Sequence, residues 1–438
     1  MSQSNCFREF IKYSSLNVLG MLGLSFYILA DTFFISKGLG PNGLTALNLA
    51  IPFYSFIHGC GLMIGMGGGT RYSIQKSHGD QTAGDRAFFA ACCLAGIFAV
   101  FFVLLGLLFT GPIVGLLGAD EQVFSMTKTY LRVILLFSPA FLFNNVLLCF
   151  VRNDGAPQLS MAAMVTGSLS NVVLDYLLIF PCHMGILGAV LATGLAPIIS
   201  MAILSSHFLR GKNGFSLRIG KVRGTLCFNI MSTGVPSLVT EVSSGVVIIA
   251  FNAIILSLQG NIGVAAYGVI ANLSLVVVAV FTGIAQGIQP ILSGNYGAGY
   301  YDNVRRIVGY AQISGLVLSI LIYAGVFFGA GWITSVFNSQ SNELLQRLAE
   351  DGLRLYFLAC PFVAFNLICA VQLTSTDRPR PAQMLSLLRG FVIILPLAFL
   401  LSRFWGMTGV WCTFPVTELI VALLGMALLC RFGARKAK

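Results

Sequence analysis

Twelve apolar runs separated by short polar gaps make up most of this sequence, near 14–36, 44–70, 87–109, 129–151, 158–180, 185–209, 228–258, 264–292, 307–335, 353–374, 383–403 and 409–430. A bilayer core about 30 Å thick takes about 20 apolar residues per helix, so twelve crossings use roughly 240 residues and leave little chain for anything else. Composition agrees: 57% of the 438 residues are hydrophobic and 9% charged, whereas a soluble domain carries about 25% charged residues. The expected class is an all-α membrane protein. The net charge of +11 does not argue for a nucleic-acid partner, because the basic residues sit mainly in the short gaps, a pattern that sets topology.

The first run follows Arg8 and Lys12, as a signal peptide would, but Asp31 interrupts its end and no small-residue cleavage site follows. A retained span is expected. The eleven cysteines lie mostly inside apolar runs and include no C-x-x-C pair, so they read as small core residues rather than a zinc site or disulfide framework. With the N-terminus on the cytoplasmic side, nineteen Lys and Arg fall in inside segments and six in outside segments or their margins. Both termini are therefore expected in the cytoplasm.

The sequence also repeats itself. Gly43, Ala46, Gly67, Gly79 and Arg86 recur 220 positions on as Gly263, Ala266, Gly287, Gly299 and Arg306. Pro139, Phe143, Asn144 and Pro157 match Pro361, Phe365, Asn366 and Pro379 at 222, and Gly185 and Gly188 match Gly406 and Gly409 at 221. Six crossings per repeat is an even number, so both halves enter from the same side and are related by a pseudo-two-fold axis along the membrane normal, the parallel-repeat plan of secondary transporters. The expected organisation is a six-helix lobe over 1–209, a cytoplasmic linker over 210–227 and a second six-helix lobe over 228–438.

Four carboxylates fall within spans, Asp31, Asp175, Glu241 and Glu418, and Arg389 is the clearest basic residue at depth. Ionisable groups are expensive there, so each is a functional candidate, with a structural hydrogen-bonding role as the competing reading. Asp175 follows Asn171 by four residues and shares its helix face. Counted from the outer helix ends, Asp31 and Asp175 lie about 8 Å deep, Thr193 about 13 Å and Asn171 about 14 Å, one layer of the first half. That oxygen-rich layer suits a hard cation such as Na⁺, or two acids sharing a proton. At the repeat offset, Asn171 and Asp175 become Val392 and Pro396, which puts the ion site in the first half alone. Glycines 61, 65 and 69 read as a close-packing face. Gly65 and Gly67 have no Gly-Lys-Ser/Thr after them, so nucleotide binding is rejected. Prolines 52, 139, 236, 361, 396 and 415 can bend helices. His58 reads as a packed residue.

Asp-Thr-Phe-Phe-Ile at 31–35, Arg-Asn-Asp-Gly-Ala-Pro at 152–157 and Gln-Pro-Ile-Leu-Ser-Gly-Asn-Tyr-Gly-Ala at 289–298 resemble the multidrug and toxic compound extrusion (MATE) transporters, in their MepA-like bacterial branch, over essentially the whole chain. The resemblance implies a bacterial inner-membrane antiporter, a monomer with no cofactor, exporting cationic or amphipathic small molecules in exchange for Na⁺ or H⁺ by alternating access. Its cation site maps onto Asp31, Asn171, Asp175 and Thr193. Carboxylates that some relatives use in helices seven and ten are altered here: Glu241 is displaced by about one turn, and Asn366 stands where the helix-ten acid would be. No second-half ion site is then expected, and Glu241, Asn144 and Asn366 become candidate substrate contacts.

The nearest alternative is a flippase for a lipid-linked precursor, which would call for several basic residues in the cavity, where Arg389 stands alone. An enzyme would need a clustered catalytic set, and His58, His78, His183 and His207 are scattered over different segments. A channel would need a filter of repeated carbonyl loops, which nothing here resembles.

Overall fold

The computed structural model describes residues 3–220, 222–338 and 342–434, with side chains described from Asn5 to Cys430. Lys221, Arg435, Lys436 and Lys438, four of the basic residues behind the expected orientation, lie outside the described residues, as does the side chain of Arg431. Thirteen α-helices follow in order: α1 Gln3–Ser77, α2 Gln81–Leu108, α3 Thr110–Leu116, α4 Glu121–Leu136, α5 Ser138–Asn153, α6 Pro157–Ile179, α7 Gly185–Leu209, α8 Gly224–Gly297, α9 Tyr301–Phe337, α10 Glu343–Tyr356, α11 Cys360–Ser375, α12 Pro379–Leu387 and α13 Ile394–Ala434.

Eight helical segments are long and apolar enough to cross a bilayer. Three of them hold two crossings each, divided at Gly40, Gly260 and Gly406. Each of these glycines takes a positive φ with nothing within 4 Å of a would-be Cβ, so the backbone conformation, not crowding, calls for glycine there. The α4–α5 pair, bent by 46° before Pro139, supplies the remaining crossing of the twelve among the described residues. The fourth span, expected as one run, is thus broken, since proline cannot donate the helical hydrogen bond at its own position.

The duplication is written in the backbone. Gly40 (φ 67°, ψ −160°) and Gly260 (φ 61°, ψ −153°) turn the chain alike, as do Gly79 and Gly299 and Gly185 and Gly406, all with positive φ. Gly155 is answered by Asp377, one of the two non-glycine residues with positive φ among those described. Two large hydrophobic cores follow this division, one built from residues between Ile35 and Ile230, the other from Phe251 to Trp411 with Cys6 and Phe10 added, and a small third cluster around Cys369, Leu373 and Leu385 lies in the second half. Outward-facing apolar side chains recur at helical spacing, as at Ile313, Leu316, Val317, Ile320 and Leu321 of α9, and form the surface that lipid must cover.

Lipid gives helices no hydrophobic reason to associate, so close approach of small residues does the work. Cβ atoms at Gly67 and Gly234 would run into the backbone of Ile230 and Met63, and one at Gly287 would stand 2.8 Å from Ser14 Cα. Glycines 61, 65 and 69 do pack closely, against Asn145, Cys149 and Asn153 of α5. Hydrogen bonds join the two halves toward the end of the bundle that carries the termini: Asn17 Nδ2 donates to Gly283 O (3.0 Å), and Gln289 Nε2 to Thr70 Oγ1 (3.0 Å) and Asn153 Oδ1 (3.1 Å). Arg71 bridges to Asp377 at 2.6 Å. The halves are therefore closed together at that end.

Candidate functional site

Three cavities share walls, one inside the first half and two between the halves. The first-half cavity, about 80 Å³, is lined by Tyr27, Tyr54, His58, Asn144, Thr193 and others. A cavity of about 50 Å³ sits between α1, α8 and α11. The largest of the three, about 250 Å³, is bounded by α1, α8 and the helices of the second half, with Glu241, Tyr267, Tyr356, Arg389, Phe414 and Glu418 on its wall. Met21 and Leu24 belong to the first and third, Thr240 and Glu241 to the second and third. Together they form one central space.

The residues that depth counting placed in one layer are brought together. Asp31 (6% exposed) and Asp175 (fully buried) lie with their carboxyl groups within hydrogen-bonding reach of each other. Asn171, also fully buried, satisfies its surroundings when its amide donates to Asp175 Oδ2 (3.0 Å) and its oxygen accepts the Thr193 N–H (3.2 Å). Thr193 Oγ1 donates to Ala189 O (3.2 Å). Oδ1 of Asp31 and Oδ1 of Asp175 have no hydrogen-bond partner in the protein. Two carboxylates have no donor of their own, so a contact between them needs a proton or a cation.

Glu241 and Asn144 face the central space, Asn144 with its Oδ1 unpaired. Asn366 is buried instead, and its Nδ2 donates to Glu418 Oε2 (2.7 Å) and Glu418 O (2.9 Å). Glu418, fully buried, also accepts from Arg389 Nε at 2.5 Å. His58, expected to be merely packed, lines the first-half cavity, stacks on Tyr54 and lies 3.5 Å from Glu241 of the other half. Arg152, counted with the inside segments, is only 3% exposed: the last turn of α5 faces α1, Nη1 donates to Asn17 Oδ1 at 2.5 Å, and Nε has no partner. Tyr27 and Tyr54, joined through their hydroxyls at 2.6 Å, were invisible as site residues in the sequence, where nothing separates them from the other tyrosines.

Segment 210–220, after α7, is strapped to the first half. Phe215 is buried among Tyr72, Phe88, Phe150 and Phe208. Asp154 accepts from Gly214 N (2.6 Å), Tyr72 (2.5 Å), Lys76 (2.5 Å) and His207 (2.8 Å). Burial alone would raise its carboxyl, but these hydrogen bonds outweigh burial and hold it below the usual carboxylate range.

The chain has clear relatives. It is 24% identical over 430 residues to the multidrug export protein MepA of Staphylococcus saprophyticus subsp. saprophyticus, covering 97% of this chain and 94% of that protein. It is 23% identical, with the same coverage, to MepA of Staphylococcus aureus strain MRSA252. Its fold matches a MATE crystal structure in complex with MaL6 at a TM-score of 0.92 (22% identity, 98% of this chain and 97% of that one). It also matches the outward-facing conformation of a multidrug resistance MATE family transporter of the MOP superfamily at 0.90 (22% identity, 98% and 96%). The MatE family model matches residues 18–177 and 236–400, one stretch in each half, and the chain belongs to that family of multidrug-export membrane transporters.

Proposed function

We propose that the chain is a secondary antiporter that exports cationic or amphipathic small molecules, driven by protons that enter through Asp31 and Asp175. The observation that carries this reading is the contact between the two buried carboxyl groups, each with an unpartnered Oδ1. In a bilayer, leaving both acids ionised and unpaired is costly, so a positive charge must occupy them or leave in exchange for another. The proton is favoured over Na⁺ because the Asn171 amide already donates N–H to Asp175 while its oxygen is held by Thr193. Na⁺ would need that oxygen turned inward.

The lobes are 1–209 and 228–438, the linker 210–227 is cytoplasmic, and both termini face the cytoplasm of a bacterial inner membrane; the transporter works as a monomer. The closure at the terminal end by Gln289, Thr70 and Asn153 then makes this an outward-facing state. Protonation of Asp31 and Asp175 from outside cancels the negative charge that holds a cationic substrate and releases it outward. A flippase finds less support, since the largest cavity's wall carries a single guanidinium, Arg389, where a lipid-linked pyrophosphate calls for several basic groups. Efflux of a fluorescent cationic dye from vesicles under separately imposed H⁺ and Na⁺ gradients tests the reading. Dye export driven by the proton gradient is expected, and export indifferent to both gradients would refute it.

A further inference from the structure

The second-half wall of the largest cavity carries a guanidinium, Arg389, as well as the acids Glu241 and Glu418. Glu418 is fully buried and both its oxygens are taken, Oε1 by Arg389 Nε at 2.5 Å and Oε2 by Asn366 Nδ2 at 2.7 Å. Its charge is compensated and unavailable to a ligand. Arg389 spends only Nε on this pair. Its two terminal nitrogens make no hydrogen bond within the described protein, and the side chain keeps 15% exposure on the cavity wall beside Tyr356 and Phe414.

The local backbone is arranged to put the guanidinium there. Residues Leu388–Val392, between α12 and α13, form a π-helical turn, with the Ile393 N–H reaching back five residues to Leu388 O at 3.0 Å. Such wide turns insert one residue into a helix and re-aim the side chains around it, and they recur at functional sites. The turn fits against α8 because Gly390 has no side chain: a Cβ there would stand 2.6 Å from Ser243 Cβ. Glu418 from α13, itself held by Asn366 from α11, then fixes the Nε side of the guanidinium and leaves the planar terminal fork without a partner among the described residues, on a side chain that lines the cavity. That fork matches a carboxylate, two parallel N–H donors to two oxygens. The same cavity carries Glu241, which is 29% exposed.

We propose that Arg389, held by Glu418 and Asn366, is the anion-recognising end of the substrate cavity, so that this transporter favours zwitterionic amphipaths, with a carboxylate on Arg389 and a protonated amine toward Glu241. The proposal rests on the export reading above and narrows its substrate class. Because Arg389 and Glu418 already compensate each other, it is the ligand's own ammonium that balances its carboxylate, and a zwitterion enters without adding net charge to the bilayer interior.

The test measures binding to the purified full chain of two fluorescent probes that differ in one group: an amphipath with a tertiary amine and a carboxylate, and its methyl ester. The zwitterion is expected to bind more tightly than the ester by on the order of ten-fold, the size of one charge-assisted hydrogen-bonded contact in a wet cavity. In the double variant Arg389→Gln/Glu418→Gln, which removes both charges together, that ratio is expected to collapse to about one. A ratio near one in the unmodified protein, or a ratio that survives the double variant, overturns the proposal. A second measurement needs no variant: an aromatic monocarboxylate in excess is expected to displace the zwitterion and leave the ester bound. No displacement of the zwitterion also overturns it. Failure of both probes to bind would sink the export reading itself, whereas ester binding without any preference for the acid sinks only this proposal.

Discussion

The carboxyl group of Asp31, on the first crossing, lies within hydrogen-bonding reach of that of Asp175, on the fifth, and each keeps an Oδ1 with no protein partner. Asp31→Asn and Asp175→Asn each keep side-chain volume and remove a charge that must be compensated. Each is expected to abolish gradient-driven dye efflux while the protein still inserts and purifies normally. Asn366→Ala removes a hydrogen bond to Glu418 instead. It is expected to lower stability by about 2 kcal/mol and leave coupling in place. Efflux from vesicles set beside thermal unfolding in detergent separates the two effects. Coupling lost in Asn366→Ala as fully as in Asp31→Asn would move the ion site out of the first half.

Gly40 and Gly260 have room for a methyl group and no freedom for its backbone. Gly40→Ala and Gly260→Ala are each expected to cost about 1 kcal/mol through left-handed strain. A lower unfolding midpoint in both, with similar size, is the expected result; a neutral Gly260→Ala would undercut the equivalence of the two turns.

Gln289 ties Thr70 and Asn153 of the first half to the second half at the closed end. Gln289→Leu leaves the buried Thr70 hydroxyl unpaired, while Asn153 keeps its bonds to Ser73 and Cys149 O, at about 1–3 kcal/mol. That penalty falls on the closed arrangement alone. Cysteines placed at Thr70 or Ser293 are therefore expected to react faster with a cytoplasmic thiol reagent in the Gln289→Leu background, and an unchanged rate would mean that these bonds do not hold the end shut.

Cysteines introduced at positions 210–218 are expected to be labelled only from the cytoplasm, most slowly at the buried Phe215. Labelling from outside would overturn the orientation and the parallel repeat together. The strap also carries a pH dependence. Asp154 is held below the ordinary carboxylate range in the folded protein, so its contribution is complete above the unfolded value of about 4 and fades as pH falls through the lower folded value. Asp154→Asn is expected to lose about 3 kcal/mol at neutral pH, and the difference from the unmodified protein should shrink in acid. A gap that instead widened on acidification would contradict the assignment.

Much of this was legible in the sequence because a bilayer makes depth countable. Counting at a fixed rise placed Asp31, Asn171, Asp175 and Thr193 in one layer although 162 positions separate the ends of the set, and the recurrence of Gly79 as Gly299 and Gly185 as Gly406 marked turns that share positive φ. Three features escaped for physical reasons. His58 meets Glu241 only through the docking of the two halves, which no local pattern encodes. Arg152 follows an apolar run and looks like a loop residue until the last turn of α5 packs on α1. The π-helical turn at Leu388–Val392 changes the register of its helix, so helical counting could not pair Arg389 with Glu418.

The central claim is that proton and cationic substrate compete through one shared charge, and binding linkage makes that competition reciprocal, with a coupling of about 5- to 150-fold. The most direct measurement titrates dye affinity for the purified protein against pH without Na⁺, and against Na⁺ at fixed pH. Affinity is expected to weaken as pH falls, to respond little to Na⁺, and to lose its pH dependence in Asp31→Asn; a dye affinity indifferent to both ions would contradict the exchange mechanism.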